Sequence, residues 1–125
     1  MLNKEQINNM LELGKVVFAT ADKKGVPRCI WVMPSRITED EIILSNIQMS
    51  KSIKNILENP NCFVNVYFES QDDLQYKITG VAKVHNKGEL FEEIKEYEET
   101  NNLPEGLRVR SIIVIKITNI EESNG

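Results

Sequence analysis

The chain has 125 residues, of which 41% are hydrophobic and 27% charged, with a formal net charge of −4. That length supports one domain with a real core, and the acidic balance excludes a general nucleic-acid binder, which presents a basic surface. No apolar run reaches membrane-spanning length, residues 1–6 carry no basic-then-apolar leader, and Cys29 and Cys62 follow no metal-ligand or redox spacing, so the expectation is a cytoplasmic protein whose two thiols pack as small hydrophobes.

Residues 3–13 read as a helix with Ile7, Met10 and Leu11 on one stripe, Asn3 as N-cap and Gly14 as its stop. Lys15–Ala21 is a short β-branched run typical of a buried strand. Asp22-Lys23-Lys24-Gly25 turns it into Arg28–Met33, and Pro27 and Pro34 bracket this second strand and predict an edge. Thr38–Glu41 is the next turn and Ile42–Ser45 the third strand. A helix then runs from Lys51 to Glu58, with Met49, Ile53, Ile56 and Leu57 on one face. Cys62–Phe68 is a fourth strand, and Ser70–Asp73 leads to a fifth, Leu74–Val84, where Gly80 predicts a bulge or a close backbone approach. Asn86 to about Asn101 is an acidic helix with Leu90, Phe91, Ile94 and Tyr97 on its apolar stripe. Arg110–Ile117 closes the chain as a last strand. Short turns dominate, so the fold class is mainly β with flanking helices: an antiparallel barrel with helices packed at its openings.

The helix at Lys51 carries its charges in reverse. The helix macrodipole favours acids in the first turn and bases in the last; here Lys51 and Lys54 open the helix and Glu58 closes it. Unsatisfied N–H groups beside two ammoniums make an anion site, and the residues by themselves point to a phosphate-bearing small molecule.

Three segments, in this order, resemble the pyridoxamine 5′-phosphate oxidase-like superfamily of FMN-binding split barrels, and the similarity covers nearly the whole chain. They are Arg28-Cys29-Ile30-Trp31-Val32-Met33, then Leu44-Ser45-Asn46 followed by Ser50-Lys51-Ser52, and Gln75 five residues before Gly80. The length and Arg108-Val109-Arg110-Ser111 are similar to the small bacterial FMN-binding proteins. The resemblance implies a six-stranded antiparallel split β-barrel and a homodimer with FMN in a cleft shared by two subunits. It implies that Arg28, Ile30, Trp31, Val32 and Met33 run beside the flavin, that the cofactor-binding loop and helix start of Ser45, Asn46, Ser50, Lys51 and Ser52 hold its phosphate through Lys51 and Ser52, and that Gln75 and Arg110 contact it. It also implies an oxidoreductase working with NAD(P)H or a small-molecule acceptor, or a flavin carrier without a substrate of its own. The chain departs from the family where Met49-Ser50-Lys51 replaces Ser-Arg-Lys; Arg28 and Lys54 are the candidates to supply the missing cation. The vitamin B6 oxidases grip substrate phosphate with a longer C-terminal part, and with the sequence ending at Gly125 soon after its last strand the expectation is against pyridoxamine oxidase activity.

Each assignment has a plainer alternative. Trp31 suits the core or a dimer interface as well as a ring contact, and alternation puts it with Met33 opposite Ile30 and Val32, giving a strand with two apolar faces. Ser50 suits an N-cap, Gln75 an ordinary strand position, and Arg108 and Arg110 one face of the final strand. His85 reads as a strand end and Glu89–Glu99 as a solvated helix face. A split barrel holding a deazaflavin, haem or pyridoxal phosphate remains a further alternative, since fold alone does not settle function.

Overall fold

A computed structural model describes residues 1–124. Three helices, α1 (Lys4–Leu13), α2 (Ser50–Glu58) and α3 (Glu89–Asn101), accompany seven strands: β1 (Val16–Ala21), β2 (Pro27–Val32), β3 (Arg36–Ile37), β4 (Glu41–Asn46), β5 (Asn61–Phe68), β6 (Leu74–His85) and β7 (Ser111–Ser123). All pairings are antiparallel, in the order β2-β1-β5-β6-β7-β4-β3. The strand expected at the edge is at the edge. The count is seven, not six, because the two-residue β3 is too short to leave a periodic signal.

The two edges approach each other. Val32 from β2 and Ile37 from β3 join one buried cluster with Phe18, Leu44, Val64, Ile78 and Ile113, so the sheet curls around its core and stays split between β2 and β3. Pairing inward-facing apolar residues every second position accounts for this curl along β1 and β5, whose burial alternates strictly. Gly80 provides the bend in β6, where the register with β7 shifts between Thr79 and Gly80. A Cβ at that position would lie 2.5 Å from Ile115 Cγ2 and 2.8 Å from the Lys116 carbonyl oxygen, so the backbones approach as closely as the glycine predicted.

Helix α1 begins in a capping box between Asn3 and Gln6 and ends at Gly14 in the left-handed region, at φ 81°. Its Met10 is buried while Leu11 is exposed. Helix α2 packs Met49, Ile53 and Ile56 onto the main core, but Leu57 faces outward at 73% exposure. Helix α3 covers the other face of the sheet, over Ile43 and Ile112, through Phe91 and Ile94; Tyr97 lies off this stripe and is exposed. It starts at Glu89 because Gly88, at φ 103°, interrupts the chain before it.

Three further expectations are corrected. Arg108 and Arg110 precede β7 instead of lying on it. The last strand continues to Ser123, pairing its polar end with the first residues of β6. Cys62 is buried as expected, but Cys29 is exposed. Among the described residues no helix is long and apolar enough to cross a membrane.

Candidate functional site

Helix α2 and the β1–β2 turn bring together charged residues far apart in sequence. The loop from β4 to α2 is fixed by Asn46, whose side chain is buried. Its Nδ2–H donates to Ser111 Oγ at 2.9 Å, and its Oδ1 accepts the Met49 N–H at 2.8 Å. Its carbonyl accepts the Arg110 N–H at 2.8 Å. Ser45, also buried, shares a 2.6 Å hydrogen bond with Ser35, tying β4 to the chain that leaves β2. Ser45 and Asn46 therefore hold protein to protein.

The helix that follows has Met49 at its N-cap, with no side-chain cap and no acid in its first turn. The N–H groups of Ser50, Lys51 and Ser52 have no partner among the described residues. Ser52 and Ile56 turn into the core, which leaves Lys51, Lys54, Asn55 and Glu58 along another side. Asn55 Nδ2 donates to Thr20 Oγ1 at 3.1 Å and docks the helix on β1.

Opposite this side stands the β1–β2 turn. Between them is a cleft of about 580 Å³, lined on the helix by Lys51, Lys54, Asn55 and Glu58 and on the hairpin by Asp22, Lys23, Lys24, Val26, Pro27 and Arg28. Arg28 and Lys51, far apart in sequence, share it. Both acids in the cleft are engaged by backbone. Asp22 Oδ1 accepts the N–H groups of Lys24 and Val26 at 2.8 and 3.0 Å, and Glu58 Oε1 accepts that of Lys23 at 3.3 Å. The ion pairs among the described residues engage Arg36, Lys95 and Arg108. Among the described residues none of the five cations that line this cleft is in an ion pair, and against its two carboxylates they leave it net positive, on a protein that is acidic as a whole. A local positive potential of this kind attracts a phosphate.

The remaining candidates lie along the sheet. Ile30 and Val32 point into the barrel, while Trp31 and Met33 point out and are 69% and 68% exposed. The strand with two apolar faces is therefore covered on one face only within the chain. As an edge, β2 also leaves one row of backbone N–H and C=O groups without a strand neighbour. Gln75 pairs with Tyr67 and, by alternation, shares the outer face with Trp31. It sits about 16 Å along the strands from the Arg28 level, so one protomer does not bring it to the cleft. Arg110 is exposed beside the β4–α2 loop. Arg108 leans on Glu99, whose carboxylate also accepts the Val109 N–H at 2.8 Å. Hydrogen bonds from Lys95 and from that N–H hold the Glu99 carboxyl below the usual range. No group of three or more metal-ligating side chains occurs among the described residues.

The cleft residues missed by the sequence reading are Lys23 and Lys24, which read there only as turn residues. Their signal was the turn itself: two lysines at the tip of a hairpin whose second strand begins with Arg28.

Residues 4–124 match the sequence profile of pyridoxamine 5′-phosphate oxidase. An uncharacterized protein of Methanocaldococcus jannaschii is 31% identical over 119 residues, covering 93% of this chain and 77% of that protein. HupZ of Group A Streptococcus superposes with a TM-score of 0.85 at 17% identity, over 100% of this chain and 96% of its own. An FMN-binding protein from Syntrophomonas wolfei superposes with a TM-score of 0.73 at 18% identity, over 94% and 84%. HutZ, a haem storage protein from Vibrio cholerae, does so with a TM-score of 0.67 at 13% identity, over 97% and 94%. At these identities the structures share the fold, and the fold accommodates more than one ligand.

Proposed function

The chain belongs to the pyridoxamine 5′-phosphate oxidase family, and from that premise we propose that it is an FMN-binding homodimer working as an oxidoreductase. The observation that carries the reading is the cleft between α2 and the β1–β2 turn, where Lys51, Lys54 and Arg28 stand outside the ion pairs among the described residues, beside three unpartnered N–H groups at the start of α2. This donor set fits a phosphate monoester, which brings about 1.5–2 negative charges and several acceptor oxygens. Haem, whose iron needs an axial side chain, has less support here. His, Cys, Met and Tyr can serve as that ligand, and none of these is among the residues lining the cleft; His85, the one histidine, ends β6 away from it.

Bound FMN supplies hydride or electron transfer. The chain's residues bind and orient it. Lys51, Arg28 and the N–H groups of Ser50 to Ser52 neutralise the phosphate, and the free edge of β2, from Ile30 to Met33, offers backbone donors and acceptors alongside. Asp22 and Glu58 already accept backbone hydrogen bonds, so neither is presented as a general acid or base. A second subunit supplies the missing cover for Trp31 and Met33 and brings Gln75 and Arg110 of one copy toward the cleft of the other.

The test is a visible spectrum of the purified protein after loading with FMN and desalting. About one flavin per chain is expected, and Lys51→Ala should bind FMN more than tenfold more weakly with its fold intact, since a charged hydrogen bond contributes about 1.5–3 kcal/mol. Unchanged affinity in that variant removes the assignment. Oxidation of NADH or NADPH by the loaded protein marks an enzyme; none with common acceptors marks a carrier.

A further inference from the structure

The cleft changes character along α2. At the Lys51 end it offers donors: the N–H groups of Ser50 to Ser52, the Lys51 ammonium and, on the hairpin side, Arg28. Acceptors take over one turn on. Asn55 lies four residues beyond Lys51, a rise of about 6 Å, and its Nδ2 donates to Thr20 Oγ1 at 3.1 Å. Thr20 is 3% exposed and is the ladder partner of Arg28, so this bond anchors the amide on buried structure beside Arg28. The anchor sets which way the amide faces. While Nδ2 turns to Thr20, Oδ1 accepts nothing among the described residues and is not buried; as Asn55 lines the cleft, that oxygen opens into it. Farther along stand the carboxylates of Glu58 and Asp22, which offset the charges of Lys23 and Lys24 beside them. An anion is therefore suited to the Lys51 end only, and the part of a ligand that follows the anion meets an uncharged acceptor.

We infer that Asn55 is a specificity-determining residue that accepts a hydrogen bond from a hydroxyl next to the ligand's phosphate, and hence that the cleft selects polyol phosphates. The inference rests on the FMN reading of the Lys51 end, and in FMN the polyol is the ribityl chain. Its hydroxyls supply the donor that Asn55 Oδ1 lacks, within one helical turn of the phosphate. A phosphate joined to a bare alkyl chain covers that oxygen without giving it a partner. A site built to hydrogen-bond a hydroxyl rejects an analogue lacking it for this reason. The amide is uncharged, so it accepts the hydroxyl without repelling the phosphate, as a carboxylate in its place would.

The experiment titrates the wild type and Asn55→Ala, by flavin fluorescence, with FMN and with a synthetic flavin whose ribityl chain is replaced by an unsubstituted pentyl chain carrying the same terminal phosphate. The wild type is expected to bind FMN about tenfold more tightly than the pentyl flavin, and Asn55→Ala to bring the two within about twofold by weakening FMN alone. Asn55→Gln keeps an amide for Thr20 but displaces its oxygen, and the same loss of preference is expected of it, so the outcome does not hang on the folding of the alanine variant. Equal affinity of the wild type for both flavins overturns the inference without any variant. A preference that persists in both variants overturns it too, as does an equal weakening of both flavins, which makes Asn55 a residue that only docks α2 on β1. Each of these results leaves the FMN reading standing. A wild type that binds neither flavin overturns both.

Discussion

Asn46→Ala tests whether the Lys51 end of the cleft is built by the loop that precedes it. The substitution removes two hydrogen bonds, to Ser111 Oγ at 2.9 Å and from the Met49 N–H at 2.8 Å. Asn46 is 8% exposed and Ser111 5%, so water does not readily replace the lost partners. Leaving a buried polar group unsatisfied costs about 1–3 kcal/mol; for the pair, with part of the loop relaxing, about 2–4 kcal/mol is expected. Unfolding entropy of about 2.1 cal/mol/K per residue amounts to about 0.26 kcal/mol/K for this chain, so the midpoint should fall by about 8–15 °C. Calorimetry of the flavin-free protein gives that number, and a fluorescence titration of the same sample gives the FMN affinity, expected to weaken about tenfold as the start of α2 loosens. Asn46→Asp adds a control: its carboxylate still accepts the Met49 N–H and can accept from the Ser111 hydroxyl, so it should recover part of the stability. It should not recover FMN affinity, because a negative charge beneath a phosphate is repulsive. A midpoint within 2–3 °C of wild type (roughly, on the scale above) refutes the hydrogen-bond assignment. A full loss of stability with unchanged FMN affinity refutes the link between this loop and the site.

Gly80→Ala should destabilise by about 1–2 kcal/mol: the overpacking against Ile115 and the Lys116 carbonyl costs about 1–3 kcal/mol, offset by the smaller entropy of the unfolded chain, about 0.4–1 kcal/mol. Denaturant titration measures it, and a stabilised variant contradicts the close approach. Burial pushes the Cys62 thiol up from 9.0 to about 12; a raised folded-state value means its contribution is intact below pH 9 and is lost as pH rises toward 12. Between about pH 8 and pH 10.5 the wild type should lose about 2 kcal/mol more stability than Cys62→Ala, and equal losses remove the claim. In the proposed dimer, Trp31→Asp combined with Met33→Asp should weaken self-association at least about 100-fold, since covering the exposed part of one Trp is worth roughly 4 kcal/mol. Sedimentation at micromolar concentration reads the outcome, and an undisturbed dimer moves the interface elsewhere.

Local rules carried most of the fold into the sequence. Asn3 with Gln6 and Gly14 mark the limits of α1, the Asp22–Gly25 turn makes a hairpin, and Pro27 and Pro34 mark the edge, because each acts through its own backbone. What escaped depends on neighbours distant in sequence. Strand β3 exists because β4 lies beside it, and the end of β7, exposed at Thr118, Asn119, Glu121 and Glu122, is held as a strand by its pairing with β6, as Lys77 with Glu121 and Gln75 with Ser123 illustrate. Leu57 and Tyr97 fit an apolar stripe by spacing, yet the sheet presents nothing for them to meet. Cys29 has the composition of a core residue and the exposure of an edge.

The same distinction separates the residues that hold the ligand loop from those that face the cleft. Ser45-Asn46 and Ser50-Lys51-Ser52 look alike in sequence, as short polar runs at a strand end and a helix start. A polar group at a buried strand end must find a protein partner, and Ser45 and Asn46 find Ser35, Ser111 and Met49. A polar group on the outer side of a helix has no such obligation. Lys51 and Lys54 are therefore left exposed on the cleft, while Ser52, next to Lys51, is buried. Helical period, not residue type, divides these roles, and the reversed charge order of α2 was legible because it depends on position along one helix alone.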